Sequence, residues 1–453
     1  MQSVWKDTVT IPARNPLPGD VTVSNVVIGA GMAGILTAWF LQQRGQEVIV
    51  LEANAIGSGQ TGNTTAKITS QHGLFYHQMI KKVGRRQAQM YAIANERAIT
   101  AYEKIIQEEK IDCDFERKPA YLYTLQEQGL PLLQEEMKAA QSLGIDASWA
   151  KVDAFMNFSF AVKAGICFPN QAQFHPLKFI KQLSSELAIY EHTKVLSVKR
   201  NKVYTNQGVV TAGNIIFATH YPITNLPGFY FLRQHQERSY VIALEGQKEL
   251  AGMYYGIDEG GVSLRSHGDM LLLGGGSHRT GKCLCEQKKG KVVGYHFLKE
   301  QARQYYPEAG IENQWSAQDC MPHDEIPFIG NYSVFRPHWY VATGFKKWGM
   351  TASMIAAQII SDQICGISYD NKNIFTPQRI HFRAGIQNLL IDMGESVSGL
   401  TKGLFASKRK RCRHMGCKLD WNSEESSWEC SCHGSAYYED GRLKDNPAQM
   451  NLK

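Results

Sequence analysis

At 453 residues the chain is too long for a single hydrophobic core, so two or three domains are expected. Its 43% hydrophobic and 20% charged content is that of an ordinary soluble protein, and a net charge of +7 is too mild at this size to signal nucleic-acid binding. No apolar run reaches membrane-spanning length and the first 20 residues lack the apolar stretch of a signal peptide, so a cytoplasmic protein without a membrane span is expected.

Residues 1–20 read as an extended arm punctuated by proline. Residues 23–52 have the order of a βαβ unit. A β-branched run, residues 23–28, ends in Gly29-Ala30-Gly31-Met32-Ala33-Gly34. A helix-period segment then runs to about Arg44, and a second apolar run, residues 48–51, closes on Glu52. Each part suits a dinucleotide. Gly29 permits the tight turn, Gly31 lets the backbone approach a pyrophosphate, and Gly34 lets helix and strand pack closely. The helix N-terminus offers unpaired N–H groups to the phosphates, and Glu52 is placed to accept hydrogen bonds from ribose hydroxyls. With strand before, helix after and acid at this distance, a cofactor site is expected here and not merely a glycine turn.

Residues 57–73 (GSGQTGNTTAKITSQHG) are small and hydroxylated. Such a segment suits a solvated loop or, directly after the ribose acid, one that wraps the cofactor through Thr61, Thr64, Thr65 and Ala66. Helical periodicity over 75–110 and 129–143, with a strand near 120–124, suggests the start of a substrate domain. A helix over 175–187, strands near 193–198 and 203–205, and the run 214–219 return to the first sheet. Residues 230–275 are strand-rich, a helix is expected near 290–305, and apolar runs occupy 326–330 and 339–344. Trp348 opens an apolar helix to about Cys365, and residues 377–407 read as a linker with one amphipathic helix.

Over about residues 20–370 this pattern resembles the D-amino acid oxidase and glycine oxidase (DAO) group of FAD enzymes. The features that carry it are GAGMAG with Glu52, the strand around Val195, Phe217-Ala218-Thr219, and Ala342-Thr343-Gly344-Phe345 followed by Trp348-Gly349-Met350-Thr351. The resemblance implies an α/β fold: a Rossmann-like FAD-binding domain (about 20–80, 165–225 and 315–370) interleaved with an α+β substrate domain (about 81–164 and 226–314). It implies that Val195 contacts adenine through its backbone, that Ala218 and Thr219 border the cofactor, and that Gly344 and the helix after Gly349 approach the flavin pyrimidine edge. A helix N-terminus there would stabilise the charge of the reduced ring by about 0.3 to 2 kcal/mol. A second GxGxxG after a strand is missing, so electrons are expected to come from an organic substrate and not from NAD(P)H.

Ten cysteines without a secretory signal read as metal or redox ligands before they read as disulfides, and four of them fall within residues 412–432. Cys412-Arg413-His414-Met415-Gly416-Cys417 and Cys430-Ser431-Cys432-His433-Gly434-Ser435 suit either a tetrahedral zinc site or an iron–sulfur site. The stretch resembles the Rieske motif almost residue for residue. That resemblance implies a [2Fe–2S] centre with Cys412 and Cys430 on one iron and His414 and His433 on the other. It further implies a disulfide between Cys417 and Cys432, and hydrogen bonds from Ser435 and Tyr437 that raise the potential. Residues 399–411 are too short for the strands that usually precede the first ligand, so a small all-β lobe is expected (408–453), joined to residues 1–378 by a linker helix (379–407). Cluster uptake would then depend on packing against the flavin domains. The basic run at residues 408–411, with Arg413, suits a solvated surface or the docking of an acidic electron-acceptor protein.

Amine oxidation by a flavin needs little acid–base machinery beyond a carboxylate anchor, for which an arginine fork is suited. Arg265 is the first candidate, with Lys67 and His72 as further polar candidates beside the flavin. The expected function is oxidation of a small amine or amino acid by FAD, with electrons passed to the Rieske cluster and on to an acceptor. The alternatives are an oxidase of the same fold that returns electrons to O₂, with a structural C-terminal lobe, and an electron-transfer or sensing protein without turnover.

Overall fold

The computed structural model describes residues 2–369, 372–379 and 382–452; residues 1, 370, 371, 380, 381 and 453, which the expected domains and linker include, lie outside the described residues. Val21–Ile28 runs parallel to Val48–Leu51 on one side and to Val209–Phe217 on the other. Its last four residues are all buried, as in a parallel sheet covered on both faces. Ala188–Tyr190 adds an edge strand beside Val48–Leu51. Beyond Val209–Phe217 lie the Val195–Lys199 and Lys202–Thr205 hairpin and the strand Arg336–Thr343. Helix Met32–Gln43 packs on this sheet beside helix Gly349–Ile364. A Cβ at Gly34 would collide with the carbonyl oxygen of Gly29, so the turn can meet the helix only at a glycine.

A second eight-stranded sheet runs in the order Ile311–Pro322, Gln234–Leu244, Met270–Arg279, Ser263–His267, Met253–Gly256, Ala120–Thr124, Ala164–Phe168, Ser148–Trp149. Its strands come from two separate stretches of chain, so the expected alternation between the two sheets is present. Lys67–Ile68, Ala172–Gln173 and Glu116–Arg117 form a small third sheet that ties the loop after Glu52 to the second sheet's side of the molecule. At the C-terminus, Leu419–Asn422, Ser427–Cys430, Ala436–Tyr438 and Leu443–Asp445 make an all-antiparallel sheet.

Two local readings change. The helix expected over 75–110 is two helices, Tyr76–Val83 and Arg85–Glu108, broken at Gly84 with φ +83°. The N-terminal arm contains a short helix, Val4–Thr8, whose Trp5 is fully buried. It straps the loop after Glu52: Trp5 Nε1 donates to the Thr64 carbonyl at 2.6 Å and Lys6 Nζ to Asn63 Oδ1 at 2.8 Å. The linker helix spans Phe382–Phe405. No described helix is long and apolar enough to cross a membrane.

Candidate functional site

A cavity of about 1490 Å³ opens between the two large sheets. At one end it is bordered by Gly29 and Gly31 at the start of helix Met32–Gln43, and by Glu52, Thr61 and Val195. Glu52 is held by the backbone: its carboxylate accepts from the Ala30 and Asn54 amides, each at 2.8 Å. Burial pushes its pKa up, and these amides offset part of that. Each oxygen has a second lone pair to offer a ligand. Thr61 Oγ1 accepts from Met32 N at 2.9 Å, which seats the loop on the first turn of the helix. Ala218 and Thr219 form the floor, and Thr64, Thr65, Lys67, Trp348, Gly349 and Met350 line the far end.

Five residues expected at the cofactor stand behind this lining instead. Ala30 and Gly34 serve the turn. Ala66, like Thr65 beside it, turns its carbonyl to Arg265. Gly344 adopts φ +75° against Pro322, and Thr351 Oγ1 points to the Thr69 carbonyl.

The three catalytic candidates are placed very differently. Arg265 is 1% exposed, and its guanidinium donates to the carbonyls of Thr65 (2.6 Å), Ala66 (2.9 Å), Phe174 (3.2 Å) and Ser266 (3.3 Å). It is absent from the cavity wall, so the fork expected to face a carboxylate is turned into the protein, where it braces the loop. His72 is also buried off the cavity. Its Nδ1 meets Tyr91 OH and its Nε2 the Thr69 carbonyl, both at 2.8 Å, and its ring stacks on Trp348 at 4.6 Å. Burial pushes its pKa down to about 3, so it is a neutral prop for Trp348. Lys67 lines the cavity: Nζ donates to the Tyr254 carbonyl at 3.0 Å and to Ser263 Oγ, and no ion-pair partner stands near it among the described residues. Burial, with the Arg265 guanidinium nearby, pushes its pKa down to about 7.

The cavity also holds groups not foreseen. Asp319 and Lys347 line it, and Lys347 pairs with Glu237 at 2.9 Å. Burial pushes the Asp319 carboxyl up to about 6, within reach of proton transfer near neutral pH. Asp319 sits in a strand whose residues alternate between faces, a pattern that marks neither face as the cavity side. Lys347 stands at φ +66° in the turn before Trp348, and only that turn aims it inward.

In the C-terminal lobe the buried thiols of Cys412 and Cys430 stand together, and His414 and His433 form a second pair. The two imidazoles stand 4.9 Å apart and nearly perpendicular. His414 Nδ1 and both nitrogens of His433 are buried without a hydrogen-bond partner, although buried polar atoms are normally paired. Burial pushes both histidines down, to about 4 and about 3, which keeps them in the neutral form that binds metal. Tyr437 OH lies 3.8 Å from Cys412 Sγ and accepts from Arg413 N at 2.9 Å. Ser435 Oγ accepts from Ala448 N at 3.0 Å. Orphaned imidazole nitrogens beside buried thiols fit an iron–sulfur group with mixed ligands. Cys417 and Cys432 are free thiols here, with their Sγ atoms within 4.8 Å of each other and of Cys430.

The short lobe takes its support from the second sheet. Arg238, 2% exposed, reaches Glu429 at 2.9 Å and Asp445 at 3.1 Å, and donates to Ser316 Oγ and Gln318 Oε1. Gln236 and Gln318 donate to the His433 and Gly434 carbonyls, each at 2.7 Å. Arg279 donates to the Ser431 and Cys432 carbonyls and pairs with Asp392 of the linker helix. On the histidine edge, His414 Nε2 meets Asn225 Oδ1 at 2.7 Å. Asn446 donates to the Thr219 carbonyl at 2.7 Å and to that of Tyr221 at 3.1 Å.

The sequence pattern of the family "FAD dependent oxidoreductase" (DAO) matches residues 25–363, and that of the Rieske [2Fe-2S] domain matches residues 389–453. The Bacillus subtilis (strain 168) protein YhfW, named for a Rieske 2Fe-2S iron-sulfur centre, is 33% identical over all of this chain and 97% of its own length. L-proline dehydrogenase from P. horikoshii shares the fold with a TM-score of 0.66 at 18% identity, over 80% of this chain and 98% of that one. Glycine oxidase from Geobacillus kaustophilus does so with a TM-score of 0.65 at 16% identity, over 79% and 99%. The chain belongs to the FAD dependent oxidoreductase (DAO) family and carries a C-terminal Rieske domain, and its cofactors are FAD and a [2Fe-2S] cluster.

Proposed function

We propose that the protein oxidises a small amine or amino acid and passes the electrons through the Rieske centre to an acceptor. When bound, FAD supplies a two-electron acceptor and the [2Fe-2S] centre a one-electron carrier, so the pair converts two-electron into one-electron chemistry. The observation that carries this reading is a shared wall. Thr219 and His220 line the FAD cavity, and the same loop ends five residues later at Asn225, on His414. Asn446, from the lobe, is bonded to the carbonyls of that loop.

In this reading Gly29, Gly31 and Thr61 receive the pyrophosphate, Glu52 the ribose and Val195 the adenine. Thr64, Thr65, Trp348, Gly349 and Met350 border the flavin. Cys412 and Cys430 ligate one iron, and His414 and His433 the other through Nδ1, with Cys417 and Cys432 paired as a disulfide that clamps the two loops. Lys67 takes the role expected of Arg265: its ammonium faces the cavity without an acidic partner among the described residues, and a substrate carboxylate would restore its charge.

Anaerobic titration with candidate amines and amino acids tests the reading. Flavin bleaching followed by an EPR signal of the reduced cluster is the expected result. Bleaching with a silent cluster would point instead to an oxidase with a structural lobe, and no bleaching by any amine would sink the substrate assignment.

A further inference from the structure

The linker helix Phe382–Phe405 is inverted. It buries Gly385, Asp392, Gly399 and Gly403 and, over residues 390–405, turns its large apolar side chains to solvent. A Cβ at Gly399 would strike Cys432 Sγ and one at Gly403 the Gly416 carbonyl, so the small face rests directly on the cluster loops. Leu390, Met393, Val397, Leu400 and Leu404 recur at alternating steps of three and four, which places them in one stripe about 21 Å long. Ile391 and Phe405 flank it, and Leu390, Leu404 and Phe405 are 63%, 71% and 91% exposed. The helix also packs near the turn Tyr230–Leu232, and around that turn Leu226, Phe229 and Leu232 are exposed as well, in the same loop that carries Asn225 to His414. An apolar face of this extent on a globular molecule marks an interaction site.

The charges select the occupant. The two acids of the helix's exposed length both turn inward, Asp392 to Arg279 and Glu395 to Lys282. The charge left at the surface is basic: Lys402 on the helix, then Lys408 and Lys410 in the next turn. A parallel second copy would press these like charges together, and an acidic protein would leave the ragged apolar patch from two separate elements unmatched. We propose that this face lies on an anionic lipid surface, its apolar side chains in the acyl boundary and its lysines among the headgroups, with the histidine edge of the Rieske lobe held beside the membrane. The stripe is too short to span a bilayer, so the helix lies in the interface.

Co-sedimentation of the full-length holoprotein with vesicles tests this. Phosphatidylcholine vesicles containing phosphatidylglycerol should pull the protein down, far more than phosphatidylcholine alone. Lys408→Gln with Lys410→Gln should weaken partition by about 5-fold per lysine. Val397→Ser with Leu404→Ser should abolish it while flavin and cluster absorbance stay intact, since both side chains stand in solvent. Protein that remains in the supernatant with both vesicle types overturns the proposal. So does binding that survives both double variants, or light scattering that reports a dimer which Val397→Ser with Leu404→Ser converts to a monomer.

Discussion

The FAD cavity draws its lining from many stretches of both large sheets, mostly as backbone and small side chains, whereas the four proposed cluster ligands lie within residues 412–433 and hold through their own side-chain atoms. Their support runs the other way. The cavity stands on two large cores, while the lobe buries only a handful of apolar residues, four of them the cysteines themselves, and its polar seat comes from Arg238, Arg279, Gln236 and Gln318 of the second sheet. A site can thus be compact in sequence and still depend on distant residues for its stability. The wide site, spread over the chain, depends on no single contact to the same degree.

Substitutions can break that contrast. The largest effect is expected at a ligand: Cys430→Ser should remove the cluster's visible absorbance and iron content while FAD stays bound at full stoichiometry. Parallel loss of FAD would show that the two sites fold as one unit. Next comes the seat. Arg238→Met leaves Glu429, Glu425 and Asp445 without their shared cation, and a buried charge stripped of its partner costs about 3–5 kcal/mol. Thermal melts should show the lobe's transition lowered and iron lost early, with flavin release little changed.

Lys67 sharpens the comparison from the cavity side. Its pKa is depressed, so its charge is lost as pH rises through about 7. If the ammonium holds a substrate carboxylate, KM should climb about tenfold per pH unit above that point while kcat holds, and Lys67→Arg should remove the climb. The free fold should behave in the opposite sense. Between about 7 and the ordinary lysine value of 10.5 the unfolded chain keeps a proton that the folded one has shed, so stability rises with pH across that window. The smallest effect is expected at the shared wall. Asn225→Ala removes the partner of His414 Nε2 and should slow cluster reduction by roughly tenfold, with flavin bleaching at its original rate in stopped-flow traces.

Where chemistry sits in consecutive residues, the sequence was legible. The glycine turn with Glu52 and the Cys-x-His/Cys-x-Cys-His pair are short motifs whose spacing fixes their local geometry; the turn and Glu52 border the cavity, and the cysteines lie buried in the lobe. A strand arginine such as Arg265 gives no sign in the sequence of which way its fork turns. Here the carbonyls of the loop over residues 64–66 need donors from elsewhere: Trp5 satisfies that of Thr64 and Arg265 those of Thr65 and Ala66. The same holds for His72, whose ring stacks on Trp348, nearly 280 residues away in sequence.

By itself the sequence determined which cofactors the chain can hold, because glycine freedom, thiolate and imidazole chemistry and βαβ periodicity are properties of local runs. Only the tertiary structure decided which charged groups face the cavity, what carries the shortened lobe, and that the linker helix shows its apolar side to solvent. An amphipathic pattern states that a helix has two faces; which face is buried depends on the surface it meets. Here that surface is a pair of cluster loops so close that only glycine fits against them.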